Sequence, residues 1–149
     1  MKAMGSKKKS WQEKLNIDRQ PVIEISDKDF AGIRQGQRML IPTPRLVESY
    51  IRQIPKGKQT DIALIRKDLA AAHHAEVTCP LTTGIFVRIV AEAAYEEYEN
   101  GKPLNKIAPF WRVIDEKSPT AKKLSFGTAF LLEQRRLEGL TTMKAKTVR

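Results

Sequence analysis

The stretch from Thr43 to Val90, TPRLVESYIRQIPKGKQTDIALIRKDLAAAHHAEVTCPLTTGIFVRIV, decides how this chain folds. It contains three helical patterns separated by two breaks. Thr43 is an N-cap residue type, and Pro44 suits the first helical position, where its missing N–H costs nothing. Leu46, Val47, Tyr50, Ile51 and Ile54 then recur at the spacing of one helix face, and Pro55 with Gly57 ends the run. Thr60 is the expected cap of a second helix, whose buried face is Ile62, Ile65, Leu69 and Ala72. A connector through His73, His74, Cys79 and Pro80 leads to a third helix, capped by Thr82 or Thr83. Its inner stripe is Ile85, Phe86, Ile89, Val90 and Ala93, and Asn100-Gly101 stops it.

Upstream, residues 21–25 (PVIEI) and 37–41 (QRMLI) read as short strands or extended pieces flanking a Gly-containing loop. Downstream, residues 107–114 (IAPFWRVI) read as a strand or extended segment, and Pro109 keeps it off a central strand position. The loop 115–123 is polar and basic. A final helix is expected over 125–138, packing through Phe126, Ala129, Phe130 and Leu137 and ending at Gly139. Helix, helix, connector, helix, extended segment and basic loop is the order of a winged helix-turn-helix. The expected class is therefore α+β, mainly helical, with short N-terminal strands.

A length of 149 residues fits one domain. Hydrophobic residues at 41% and charged residues at 30% are globular values, which argues against a wholly disordered chain. There is no run of 18 apolar residues to span a membrane. The basic N-terminus lacks an apolar h-region, so no secretory signal is expected. A single cysteine, Cys79, rules out an internal disulfide framework and suits the reducing cytoplasm.

The formal net charge is +10. Residues 1–14 carry +4, residues 141–149 carry +3, and only +3 is left for 15–140. The two ends are expected to be basic tails around one domain over 15–140. Inside that domain, segment 45–67 nets +4, through Arg45, Arg52, Lys56, Lys58, Arg66 and Lys67 against Glu48 and Asp61. The far end of the third helix is acidic, with Glu92, Glu96, Glu97 and Glu99. That segregation favours a basic face that meets phosphates, with the acidic end turned away.

From about Val47 to Gly139 the chain resembles the DNA-binding domain of methylguanine-DNA methyltransferases, and more closely the alkyltransferase-like members that lack the reactive cysteine. The residues are Ile54-Pro55-Lys56-Gly57-Lys58, Thr60 with the second helix, Cys79-Pro80-Leu81-Thr82-Thr83-Gly84-Ile85-Phe86, and Pro109-Phe110-Trp111-Arg112-Val113-Ile114. In the enzymes the last element reads Pro-Cys-His-Arg-Val. Its thiolate takes the alkyl group, and such chemistry needs a nucleophile with a lowered pKa beside a base. Here those two positions are Phe110 and Trp111, so the transfer is not expected.

The resemblance implies a non-catalytic protein without a cofactor. It would bind double-stranded DNA through the minor groove, flip an alkylated guanine into a pocket, and hand the lesion to a repair partner. A tyrosine that opens the second helix in the family stands here as Ile62. The family's intercalating arginine falls near Thr83-Gly84, with Arg88 one turn on as a substitute.

Each candidate residue has a plainer reading beside the functional one. Phe110 and Trp111 are core aromatics or a pocket for a flipped base. In an extended segment only one of them faces a pocket. Arg112 makes a structural salt bridge or a phosphate contact. Thr82 and Thr83 cap a helix and can also meet phosphate. Lys56 and Lys58 are surface charges or phosphate contacts, and Thr60 and Arg88 are counted with the DNA-facing set. Cys79 is a buried thiol, or a nucleophile activated by a helix N-terminus in an alkyl-transferring enzyme. His73, His74 and Cys79 lack the further ligand a tetrahedral metal site needs. A third reading is a winged-helix module that binds protein instead of DNA.

Overall fold

The computed structural model describes residues 9–142. The chain begins with helix α1 (Trp11–Leu15) and an antiparallel pair, β1 (Val22–Ile25) and β2 (Arg38–Ile41). Helices α2 (Pro44–Arg52) and α3 (Ile62–Ala72) follow, then the short strand β3 (Val77–Thr78) and the long helix α4 (Pro80–Glu99). Short helical turns at Leu104–Lys106 and Phe110–Arg112 lead to α5 (Pro119–Lys123) and α6 (Ala129–Glu138). The class is α+β with helix predominating. No described helix is long and apolar enough to cross a membrane.

The two N-terminal strands form as expected, with Val22 opposite Ile41 and Ile25 opposite Arg38. The third strand was not anticipated: β3 lies parallel to β2, pairing Met39 with Val77 and Leu40 with Thr78. Two residues are too short to carry an alternating pattern. Against β2 and β3, the small cluster of Ile33, Met39 and Cys79 closes over.

Helix α2 follows its sequence signals. The Thr43 hydroxyl accepts the Leu46 N–H at 3.1 Å, Pro44 occupies the first turn, and Val47 and Ile51 are fully buried. The other two starts shift. Asp61, not Thr60, caps α3 by accepting the Leu64 N–H at 2.8 Å. Helix α4 starts at Pro80, before Thr82 and Thr83, because proline at N1 has the helical φ already set. The Thr83 hydroxyl then has no end to cap and donates back to the Cys79 carbonyl at 2.7 Å.

The main core surrounds α4, which packs on α1, α2, α3, α5 and the Phe110–Arg112 turn. Val47, Ile51, Ile65, Val87, Val90, Phe110, Ile114 and Leu131 are its closed centre. Several expectations about packing are corrected. Ala72, Ile85, Ala129 and Leu137 are exposed, and α6 instead buries Leu131, Gln134 and Arg135. Helix α6 begins at Ala129, later than the periodicity implied. Glu92 does not belong to a solvated acidic end: it is 2% exposed and accepts the Ser125 N–H at 2.7 Å.

The expected tail over 1–14 is also too long. Ser10 and Glu13 form a reciprocal capping box that starts α1, and α1 docks Leu15 and Trp11 onto the core. The remaining tail residues, 1–8 and 143–149, lie outside the described residues.

Candidate functional site

The motif over Pro109–Arg112 is not extended. Arg112 N–H reaches the Pro109 carbonyl at 3.0 Å, and Val113 and Ile114 N–H both reach Phe110 at 3.0 Å. This tight turn replaces strand alternation, so the two aromatics do not point to opposite faces. Their rings meet edge to face, 5.3 Å between centroids. Phe110 is fully enclosed among Trp111, Phe126 and Phe130, so the structure places it in the core. Trp111 is also buried, at 3% exposed, but it is among the residues that line an open groove of about 640 Å³.

Glu138 organises that groove. Its Oε2 accepts the Trp111 indole N–H at 2.8 Å and the Arg112 Nη2 at 2.7 Å. Its Oε1 accepts the Gly57 N–H at 2.9 Å and Arg112 Nε at 2.9 Å. Burial by itself pushes the Glu138 carboxyl up, but hydrogen bonds from Arg112, Gly57 and Trp111 outweigh it and hold the group at about 2. Arg112 also donates to the Ile54 carbonyl at 2.8 Å. One carboxylate thus joins the turn after α2, the Pro109–Arg112 turn and α6.

The turn Pro55-Lys56-Gly57-Lys58 is fixed by the same contact. Gly57 has φ +82°, a left-handed conformation that suits glycine, and this aims its N–H at Glu138. Lys56 and Lys58 stand exposed on either side of it. Thr60 closes the assembly by donating its backbone N–H to the Arg112 carbonyl at 2.8 Å. Arg135 lies beneath, 3% exposed, bonding the Trp111 carbonyl at 2.8 Å and Gln59 at 2.8 Å. Burial pulls its guanidinium below the usual value, against the charges of Asp115 and Glu116.

The structure therefore brings Lys56, Lys58, Thr60, Trp111 and Arg112 together and leaves the other candidates elsewhere. Of the two readings of Arg112, the ion pair is present. Thr83 is fully buried, and the Thr82 hydroxyl is enclosed without a hydrogen-bond partner among the described residues, so neither offers its oxygen to a phosphate. Arg88 sits on α4, beside Trp11 and 3.3 Å from Glu92. The basic segment 45–67 is weaker than its charge count. Glu48, itself 6% exposed, binds Arg45 at 2.6 Å and Arg52 at 3.1 Å, and Arg66 donates to the Thr78 carbonyl.

Cys79 is 5% exposed in its own small cluster with Ile33 and Met39, and no cysteine lines the Trp111 groove. His73 caps the end of α3, its ring 3.1 Å from the Leu69 carbonyl. No group of metal-binding side chains is found among the described residues.

The residue the sequence reading missed is Glu138. A signal was present: a carboxylate in the last turn of a helix opposes the helix dipole, so one that stands there needs a cationic partner. Comparison with known proteins finds no matching family model, no matching curated protein and no matching solved structure.

Proposed function

We propose that this chain is a non-catalytic DNA-binding protein of the alkyltransferase-like type. In this reading the α3–α4 pair is a helix-turn-helix, and the loop carrying α5 stands in for its wing. The Pro-Lys-Gly-Lys turn contacts the phosphate backbone, and the Trp111 groove receives an alkylated guanine turned out of the stack. The observation that carries the reading is the convergence on Glu138. One buried carboxylate holds the Lys56–Lys58 turn, through the Gly57 N–H, beside the groove that Lys56, Trp111 and Arg112 line. An interface in which cations contact phosphate while a ring faces an extruded base needs that proximity. The absence of transfer chemistry is supported by Phe110 and Trp111 at the acceptor positions and by the burial of Cys79 away from the groove.

The test is titration of the full chain with two duplexes, identical except for one O6-methylguanine, over a range of salt. Tighter binding of the modified duplex, lost in Lys56→Glu/Lys58→Glu, supports the reading. Equal binding of both duplexes reduces it to generic DNA binding. No salt-sensitive binding of either refutes it.

A further inference from the structure

We infer that a second groove, between α1, the first half of α4 and α5, is a docking site for an acidic amphipathic helix of a protein partner. The groove measures about 800 Å³ and shares no lining residue with the Trp111 groove. Trp11, Ile62 and Ile89 contribute apolar lining. Leu81 and Ile85, one helical turn apart on α4, stand 61% and 57% exposed at the same groove. A single exposed leucine is ordinary, but two successive turns of aliphatic side chain beside a tryptophan-lined groove make a contiguous patch. Such patches mark interaction surfaces.

Gly84, between those two residues, is the informative position. Glycine inside a helix costs about 1 kcal/mol relative to alanine. Its φ is not in the left-handed region, and a Cβ built there would meet no atom within 4 Å. Neither backbone conformation nor internal packing therefore requires glycine at this site. What its missing side chain leaves is a notch in the groove wall, open to a group arriving from outside.

The charge of the lining selects the occupant. It includes Lys14, Arg88 and Lys123 and no carboxylate. The Lys14 ammonium lies 4.2 Å and the Arg88 guanidinium 5.1 Å from the Trp11 ring centroid, so both border the apolar lining. Arg88 is already paired with Glu92 at 3.3 Å, so Lys14 and Lys123 are the cations that chiefly select an acidic occupant. The chain's own ends do not complement this surface. Residues 1–8 and 143–149 carry six cations, Lys2, Lys7, Lys8, Lys144, Lys146 and Arg149, and no acid. A nucleic acid is a poorer match too, because its interfaces are more polar and more positive than this wall. The threonine hydroxyls at the start of α4 are also turned inward. Protruding Leu81 and Ile85 with a notch between them fit the ridge-and-groove surface of another helix. The complement is a helix with apolar anchors at i, i+4 and i+7 and carboxylates along its flanks.

The probe is a synthetic amphipathic helix with leucine anchors and glutamate flanks, titrated into the full chain by fluorescence anisotropy. The control is the same peptide with lysine flanks. The acidic peptide is expected to bind at least ~10-fold more tightly than the lysine one. Gly84→Leu fills the notch and should weaken acidic-peptide binding at least ~10-fold. Lys123→Glu should weaken it in the same direction. Because nothing stands within reach of a Cβ at position 84, Gly84→Ala should raise the melting temperature, which separates lost docking from lost folding. Equal binding of both peptides overturns the proposal, as does binding indifferent to Gly84→Leu. If Gly84→Leu instead abolishes binding of plain duplex, the groove is a nucleic-acid surface. If it dissolves a homodimer, the occupant is a second copy. Either result also overturns the proposal. Lys56 and Lys58 lie outside this groove, so their variants test the DNA reading separately.

Discussion

Arg112 and Glu138 form a two-pronged ion pair, with Nη2 2.7 Å from Oε2 and Nε 2.9 Å from Oε1, and their side chains are only 14% and 6% exposed. Removing one partner strands the other charge in a poorly solvated place, which costs about 3 kcal/mol or more. Glu138→Gln and Arg112→Ala should each lower unfolding free energy by roughly that amount in urea titrations. The double variant Arg112→Met/Glu138→Leu removes both charges and should cost less than the two single losses added together. Strict additivity would mean the pair is not coupled.

The same carboxylate makes stability depend on acid. Its ordinary value is 4.5 and its folded value is about 2. A lowered folded value means the stabilisation is complete above about 4.5 and is lost as pH falls through about 2. Other carboxylates titrate in the same range, so the informative quantity is the difference between the native chain and Glu138→Gln. That difference should be constant near neutrality and shrink as pH drops from 4.5 toward 2. A difference that stays level through this window would show that Glu138 is not held down by its partners.

The cap of α3 gives a local test. The Asp61 carboxylate accepts the Leu64 N–H at 2.8 Å, satisfying a donor that the helix start leaves open. Asp61→Ala should cost about 1 kcal/mol, and Asp61→Asn or Asp61→Ser should recover most of it. If asparagine and serine fail to rescue, the contribution of Asp61 lies outside capping.

These outcomes bear on what was readable in advance. The faces of α2 and the pair β1–β2 follow from apolar spacing and from Thr43-Pro44, because those signals are local. Helix existence was equally legible for α3 and α4, but their first residues were not. Thr60 and Asp61 are both capping types, and Pro80 overrides the threonines after it. The site was legible only in part. Its members Lys56, Trp111 and Arg112 stand out in sequence, yet their meeting point is Glu138, 26 residues after Arg112. No local pattern reports a contact of that span. The tight turn at Phe110–Arg112 was hidden for a similar reason: a run of apolar residues looks alike whether extended or coiled.

In the proposed DNA-binding reading, Lys56 and Lys58 set the salt dependence of that binding. Each phosphate contact contributes about 0.9 to the slope of log affinity against log salt. Lys56→Gln and Lys58→Gln should therefore each lower that slope by about 1, with equal effects on different sequences. Arg112→Gln should destabilise the fold, without the slope change of a contact, because its guanidinium is already engaged by Glu138 and Ile54. An unchanged slope in the double lysine variant would remove this turn from the interface.

Cys79 decides between the non-catalytic reading and an alkyl-transferring one. Its side chain is 5% exposed, closed over by Ile33 and Met39, and it lines neither groove. A thiol attacks as its thiolate and must approach the carbon it takes. Incubation with an O6-methylguanine oligonucleotide should therefore leave the intact mass unchanged. A maleimide should label Cys79 slowly in the native chain and rapidly in denaturant, because reaction then waits for the cluster to open. Cys79→Ala should leave DNA affinity as it was. A methyl-sized mass gain from the oligonucleotide that disappears in Cys79→Ser would reverse the assignment and make the chain an enzyme.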